Sequence, residues 1–135
     1  MLVRASPAII PLFDMPVPAG FPSPAADFTE QAIDLSELLI RNKPATFLMR
    51  ASGESMIEAG ILDGALLVID RSEQPRDNDI VVATLNGEHV VKHLRRRGRR
   101  AWLEAANPAY PEIPIGDDAD FKIFGVVMHI INSRR

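Results

Sequence analysis

The stretch "ASGESMIEAG", residues 51–60, places a serine among small residues and between two glycines. Ser55 is a candidate nucleophile, provided that another group removes its hydroxyl proton. The same letters fit a capping box, because Glu58 follows Ser55 by three residues and each side chain would satisfy a backbone donor at a helix start. Only the first interpretation requires a base elsewhere in the chain.

Lys92 is a candidate for that base. Side chains along a strand alternate between two faces, so in "EHVVKHL" Lys92 is in phase with Val90 and Leu94. A lysine facing the core loses water, which disfavours its ammonium form and lowers its pKa. A neutral amine within hydrogen-bond reach of Ser55 can accept the serine proton. The alternative is a lysine that extends its charged end to solvent at the edge of a sheet.

The three histidines suggest other chemistry. His89 and His93 flank Lys92, and His129 lies further along the chain. A histidine base in a catalytic triad has an orienting carboxylate, and no spacing here selects one. As zinc ligands, His89 and His93 would share a strand face with His129 as a third ligand, but the sequence lacks the usual ligand spacings. We therefore expect no metal and no cofactor.

Four aspartates invite a carboxylate-pair interpretation. They are Asp63, Asp70, Asp77 and Asp79. Each adjoins an expected strand end or turn, where aspartate side chains favour bonds to the local backbone. The positions therefore favour a turn role over catalysis.

Short runs of β-forming residues must position these side chains. Six runs separated by turn residues predict strands: "TFLMRA", "ALLVID", "DIVVATL", "EHVVKHL", "AWLEAA" and "FKIFGVVMHII". The Asn86-Gly87 pair between two of them predicts a hairpin. Before them, "DLSELLIRN" predicts a short helix capped by Asp34. The predicted fold class is mainly β, with several short strands preceded by a short helix.

Prolines dominate the first 24 residues. Six of the 11 fall there: Pro7, Pro11, Pro16, Pro18, Pro22 and Pro24. Proline fixes φ and pushes the preceding residue towards extended conformations. We predict an extended arm over 1–27 without hydrogen-bonded structure of its own, followed over 28–135 by the helix and the β-rich domain. A disordered tail is the alternative.

Length and composition limit the protein class. A chain of 135 residues with 47% hydrophobic residues is large enough for one domain with its own core. Eighteen acidic and 15 basic residues give a net charge of −3, which indicates no particular kind of binding partner. The absence of cysteine excludes disulfides and a thiol nucleophile. No apolar run reaches the roughly 18 residues of a membrane span, so we expect a soluble, cytoplasmic protein.

Several of these segments together resemble the LexA/UmuD-like peptidases, the self-cleaving serine–lysine proteases of the SOS response, and most closely their UmuD-like members. The similarity runs from "AGFPSPAADFTEQAIDLSELLI" through "ASGESMIEAGILDGALLVID" and "EHVVKHL" to "FGVVMHII". It implies a compact protease domain of several short, strongly bent strands, with an extended N-terminal arm and a short helix.

The resemblance also assigns roles to residues. In that family the second serine of an S-G-[ED]-S-M motif is the nucleophile, and a lysine in a V-K-[KRH]-L context is its general base. These positions correspond to Ser55 and Lys92, which are 37 residues apart, as the family pattern requires. The family cleaves itself between a small residue and a glycine, which corresponds to Ala19-Gly20. We expect the backbone N–H groups of Ser55 and Met56 to form the oxyanion site.

The family context implies partners. A RecA–single-stranded-DNA filament would stimulate self-cleavage, and the shortened homodimer would join a UmuC-type polymerase for error-prone translesion synthesis. One alternative is a non-catalytic dimeric module that binds a polymerase or DNA, and another is a truncated LexA-like repressor protease domain. About 45 residues precede the β region, too few for the arm and a three-helix DNA reader. Signal peptidases use a related dyad but need a membrane anchor.

Three segments depart from the family pattern. The usual D-G-D turn reads Asp63-Gly64-Ala65, and the usual G-D-I-V segment begins with Asn78. Because asparagine tolerates left-handed conformations, we expect the second turn to persist. The basic run "RRRGRR", residues 95–100, is expected to form a solvated hairpin tip, with direct contact to DNA or a polymerase as the alternative.

Overall fold

The protein is described by a computed structural model that covers residues 7–22, 24, 29–117 and 120–135. The chain divides into two units, Met1–Ile40 and Arg41–Arg135. In the described ranges, no helix is long and apolar enough to cross a membrane. The domain boundary proposed from the sequence, between residues 27 and 28, stays a prediction.

The first unit contains a pair of strands that the sequence did not predict. Strand β1, Ile9–Asp14, pairs antiparallel with strand β2, Thr29–Asp34. The expectation that the arm lacks hydrogen-bonded structure of its own is therefore wrong for β1. Pro11 fits this strand because each strand of a two-stranded sheet is an edge, where the missing N–H can face away from the partner.

The predicted short helix follows β2 directly. Helix α1 spans Leu35–Leu39, and the Asp34 side chain accepts a hydrogen bond from the Ser36 backbone N–H at 3.0 Å. A side-chain acceptor at this position satisfies a donor that has no partner within the helix. Both the helix and its cap are therefore confirmed.

Seven antiparallel strands form the sheet of the second unit, in the order β3-β4-β9-β5-β6-β7-β8. Their bounds are β3 Thr46–Arg50, β4 Leu66–Asp70, β5 Ile80–Leu85, β6 Glu88–Arg97, β7 Arg100–Glu104, β8 Ile113–Pro114 and β9 Phe121–Ile131. All six predicted strands are confirmed, and the mainly β fold class with them. The short β8 was not predicted, and β6 continues three residues beyond the predicted run. Two 3-10 turns, Lys43–Ala45 and Ile57–Ala59, flank β3 and precede β4.

Two register shifts in the described strands bend the sheet around β9. They lie between Val68 and Ile69 where β4 pairs with β9, and between Val82 and Ala83 where β5 pairs with β9. Such bulges bend a strand and increase its twist. Gly125 of β9 allows the close approach, because a Cβ there would lie 2.6 Å from Ile69 Cγ2.

The predicted turns form with the backbone conformations that their residues favour. Asn86 and Gly87 both have positive φ, 51° and 82°, and join β5 to β6 as a two-residue hairpin. Asn78 has φ 71°, so the turn that departs from the family pattern keeps its left-handed residue. Both turn predictions are confirmed.

The second unit buries two apolar clusters, and each one contains a neighbour of a predicted catalytic residue. Met56, next to Ser55, belongs to the cluster with Leu67 and Ile69. Leu94, two positions from Lys92, belongs to the cluster with Val81 and Leu103. The residues beside both candidate groups are therefore fixed by core packing.

Candidate active site

Ser55 lies in the connection between β3 and β4, directly before the second 3-10 turn. The N-cap of that turn is Met56, and no side chain caps it. The capping-box interpretation of Ser55 and Glu58 is therefore wrong. In the described part of the chain, the Ser55 hydroxyl makes no hydrogen bond, so no structural bond occupies it.

Bonds from several directions hold the Ser55 loop. Before the serine, Gly53 has φ 87° and donates its backbone N–H to Asp63 Oδ1 at 2.8 Å. After it, the buried Met56 side chain accepts the Ala106 backbone N–H at its sulfur, at 3.3 Å. A half-buried serine between two fixed neighbours is presented to the surface in a defined position.

The backbone beside the serine has free donors. Among the described residues, neither the Ser55 N–H nor the Met56 N–H finds an acceptor. Unpaired N–H groups next to a nucleophile suit a developing oxyanion, since they need no rearrangement to bind it. The assignment of these groups to the oxyanion site stays a prediction.

Lys92 is the other candidate, and the structure buries it. Only 8% of its surface is exposed, and it pairs across the sheet with Val81, which is fully buried. Leu94 is buried on the same face and Val90 is half-buried, as the strand alternation predicted. Burial lowers the pKa of the Lys92 ammonium below its ordinary value. The alternative, a lysine that extends to solvent, is wrong.

One cleft of about 230 Å³ is lined by both residues. Ser52 and His89 also line it, and Met49, Leu67 and Val82 give it apolar walls. No hydrogen bond joins Ser55 to Lys92 within the described structure. Catalytic hydrogen bonds are often long in a free enzyme and tighten when substrate binds.

Comparison with known proteins identifies the family of the chain that carries this site. Residues 11–128 match the family described as Peptidase S24-like. The chain belongs to the Peptidase S24-like family. This confirms the resemblance to the LexA/UmuD-like peptidases that the sequence motifs indicated.

Several curated relatives match the peptidase over most of their length. Protein SamA of Salmonella typhimurium strain LT2 is 47% identical over 125 residues, which cover 93% of this chain and 86% of SamA. Protein ImpA of Escherichia coli is 46% identical, with 93% of this chain and 85% of ImpA covered. Protein MucA of Escherichia coli is 40% identical, with 89% and 82% covered.

The three histidines of the peptidase make separate contacts. His89 lines the cleft and its Nδ1 lies 3.0 Å from Thr84 Oγ1, while His93 Nδ1 lies 3.2 Å from the Asn78 carbonyl oxygen. His129 is on β9 opposite β4. The described ranges contain no group of three histidine, aspartate or glutamate side chains placed to hold a metal ion. The zinc alternative therefore finds no support in the geometry.

The side chains of the four aspartates form hydrogen bonds with the backbone, as their turn positions predicted. Each carboxylate accepts a backbone N–H: Asp63 from Gly53, Asp70 from Ser72, Asp77 from Arg96 and Asp79 from Arg76. The bond from the Arg96 N–H lowers the pKa of Asp77 below its ordinary value. These carboxylates shape turns, and none of them lines the cleft with the serine.

The basic run forms the predicted hairpin, but its first arginine is not a free surface charge. Gly98 has φ 61° at the turn between β6 and β7. Arg95 is only 31% exposed and bonds the carboxylates of Asp77 and Glu104. The predicted solvated tip therefore corresponds to the turn at Gly98, whereas Arg95 is held on the surface of the sheet by its two ion pairs.

The proposed scissile bond lies in the first unit. Ala19 and Gly20 are exposed in the connection between β1 and β2, and the following Phe21 is 94% exposed. A Cβ at Gly20 would meet no atom within 4 Å, so the described structure gives no packing reason for glycine at this position.

Sequence reasoning missed two residues at the site. Asn107 donates its side-chain amide to the Glu54 carbonyl oxygen, and the ring of Tyr110 lies near Lys92 Nζ. Both residues belong to the segment "AANPAYPEI" that follows β7, and its pattern predicts only a turn. No local signal connects this segment to Glu54, 53 positions before Asn107, or to Lys92 on β6.

Proposed function

We propose that this peptidase is a UmuD-like SOS mutagenesis protein that cleaves its own chain between Ala19 and Gly20. Ser55 is the nucleophile and Lys92 the general base. The observation that carries the proposal is the cleft shared by a serine without a hydrogen-bond partner among the described residues and a lysine whose pKa burial lowers.

The chemistry follows from these two groups. Neutral Lys92 takes the proton of Ser55, whose Oγ attacks the Ala19 carbonyl carbon. The backbone N–H groups of Ser55 and Met56 stabilise the negative oxygen of the tetrahedral intermediate. As the peptide bond breaks, protonated Lys92 gives its proton to the leaving nitrogen of Gly20. Water, deprotonated by Lys92, then releases the acyl group as the new carboxylate of Ala19.

An open strand edge provides a place for the substrate. Among the described residues, strand β3 pairs only with β4, so its other edge carries unpaired backbone groups there, and its end leads into the Ser55 loop. An extended peptide adds to such an edge through main-chain hydrogen bonds. The small Ala19 suits a narrow pocket, and Gly20 lets the substrate backbone approach the nucleophile closely.

The cellular role follows from the family resemblance. A RecA–single-stranded-DNA filament stimulates the cleavage in the cytoplasm, and the shortened chain acts as a homodimer. It joins a UmuC-type polymerase in error-prone translesion synthesis. Direct contact of the chain with DNA is not required for this role.

Intact-mass measurement after incubation with an activated RecA filament tests the proposal. Removing the first 19 of 135 residues leaves a product of 116 residues. Ser55→Ala and Lys92→Ala should each abolish the product while the protein stays folded. Ser52→Ala and His89→Gln change the other serine and the histidine of the cleft, and both variants should still cleave.

The outcomes separate the competing assignments. Cleavage by Ser55→Ala at the wild-type rate would remove the nucleophile assignment, and loss in Ser52→Ala alone would transfer it. A rate that survives Lys92→Ala but not His89→Gln would make the histidine the base. Absence of any product in the wild type under activation would leave the non-catalytic binding module as the function.

A further inference from the structure

The segment that follows β7 bonds the neighbours of Ser55 and lies against Lys92. We call residues 106–110 the brace. Asn107 Nδ2 donates a hydrogen bond to the Glu54 carbonyl oxygen at 2.9 Å, one residue before Ser55. This bond connects residues 53 positions apart, so it fixes the Ser55 loop against the turn that follows β7.

Further brace bonds lie on the other side of the serine. The Ala106 N–H donates to Met56 Sδ at 3.3 Å, and the Ala106 carbonyl accepts the Glu58 N–H at 2.8 Å. The brace therefore bonds the residues immediately before and after Ser55. These bonds limit the movement of Ser55, and they do not involve its hydroxyl.

The other end of the brace lies against the lysine. The Tyr110 ring centroid is 5.4 Å from Lys92 Nζ. Such a ring has two opposite effects: its face attracts an ammonium, while its bulk excludes water. Burial lowers the pKa of Lys92, and the Tyr110 ring beside its ammonium is placed to exclude water from it.

Local bonds link the two ends of the brace. Asn107 Oδ1 accepts the Ala109 N–H at 3.0 Å, and the Asn107 carbonyl accepts the Tyr110 N–H at 3.1 Å. The turn therefore holds Tyr110 in a fixed place relative to Asn107. A single segment sets the position of the nucleophile loop and the surroundings of the base.

We propose that Asn107 is a positioning residue for Ser55 and that Tyr110 shields Lys92 from water. The inference rests on the Ser55–Lys92 dyad proposed above and adds two residues to it. Neither residue needs to touch the substrate. Their effects differ, since a displaced nucleophile lowers the maximal rate whereas a rehydrated base changes the pH at which the rate rises.

Asn107→Asp separates the two bonds of this side chain. It keeps an acceptor for Ala109 and removes the donor to Glu54, whereas Asn107→Ala removes both groups without adding charge. We expect the plateau rate of spontaneous self-cleavage to fall about tenfold to hundredfold, since small misplacements of reacting groups cost this much. The midpoint of the pH profile should stay in place.

Asn132→Asp is the matched control. Asn132 Nδ2 donates to the Gly60 carbonyl oxygen at 2.7 Å, at the far end of the same loop. The substitution removes the same kind of bond away from the serine, and its plateau rate should stay within a few-fold of wild type. An equal loss in Asn132→Asp and Asn107→Asp would show general loosening of the loop and overturn the positioning role.

Tyr110→Ala and Tyr110→Phe test the shield in a pH series from about 6 to 11, a range that spans the ordinary lysine pKa. In Tyr110→Ala the lysine gains water, so the midpoint of the rate profile should move to higher pH while the plateau is kept. Tyr110→Phe retains the ring and should keep the wild-type midpoint. An unchanged or lower midpoint in Tyr110→Ala overturns the shield.

Measurements on the full-length wild type and on Lys92→Ala show whether the dyad is wrong or only the brace. If Lys92→Ala keeps the wild-type profile, the dyad itself is wrong. If Lys92 is required but the Asn107 and Tyr110 variants behave as wild type, with thermal unfolding confirming that they are folded, only the brace is wrong.

Discussion

Lys92→Met removes a buried charge while keeping an unbranched side chain of similar length. Lys92 is 8% exposed, beside Leu94 and opposite the fully buried Val81. A methionine packs its thioether among these apolar neighbours without needing water. We expect the substitution to stabilise the folded peptidase at neutral pH, although it removes the base.

The magnitude follows from two opposing contributions. Burial of the ammonium destabilises the folded state, and its attraction to the Tyr110 ring returns about 0.5–1 kcal/mol. The lowered pKa of Lys92 means that burial disfavours its ammonium form in the folded state. We expect a net gain of about 0.5–2 kcal/mol in the free energy of unfolding, the usual range for a single stabilising substitution.

The gain should depend on pH in a defined direction. The pKa of Lys92 is lower in the folded state than in the unfolded state, where it is near 10.4. Below the folded-state pKa the unfolded chain holds this proton more readily, so the wild-type lysine is destabilising and the gain is complete. As pH rises from the folded-state pKa to the unfolded-state pKa, the gain declines, and above both values it disappears.

Urea unfolding measures this difference directly. Both proteins carry Ser55→Ala to prevent self-cleavage, and the transitions are compared at pH 7 and near pH 11. Lys122→Met, at an exposed position of β9, is the matched control and should show no such pH-dependent gain. A Lys92→Met protein that is less stable at pH 7, or equally stabilised at both pH values, would refute the argument that burial of the charge is costly.

Three further expectations concern the sheet and its surface. Gly125→Ala should lower the free energy of unfolding by about 1–3 kcal/mol, measured by urea unfolding, because the new Cβ would lie 2.6 Å from Ile69 Cγ2 in a packed region; an unchanged midpoint would mean that β9 moves freely away from β4. Replacing Arg97 and Arg99 together by glutamine should leave filament-stimulated cleavage within a few-fold, and a near-complete loss would show that the basic hairpin contacts the filament. Arg95→Ala should instead cost about 0.5–1.5 kcal/mol of stability, since it breaks two ion pairs of a partly buried arginine.

The elements of the peptidase follow from local chemistry that a sequence displays. The Asn86-Gly87 hairpin forms because both residues accept positive φ, and this preference belongs to the residues themselves. The burial of Lys92 follows from its phase with Val90 and Leu94, because the two-residue period of a strand assigns side chains to faces. The serine–lysine pair came from motif resemblance, and family membership is confirmed.

Other features depend on contacts that no local pattern encodes. Pairing of β1 with β2 was missed because the prolines suggested an unpaired arm, although an edge strand tolerates Pro11.

The shared cleft is lined by residues of β3, β4, β5 and β6 and of the Ser55 loop, which meet only in the folded sheet. Asn107 and Tyr110 reach the site only through this tertiary arrangement, since their partners lie far away in the chain. The sequence by itself determined which groups are able to react. The tertiary structure decided which of them meet, because the distance between residues remote in sequence is set by packing and not by any residue's own preference.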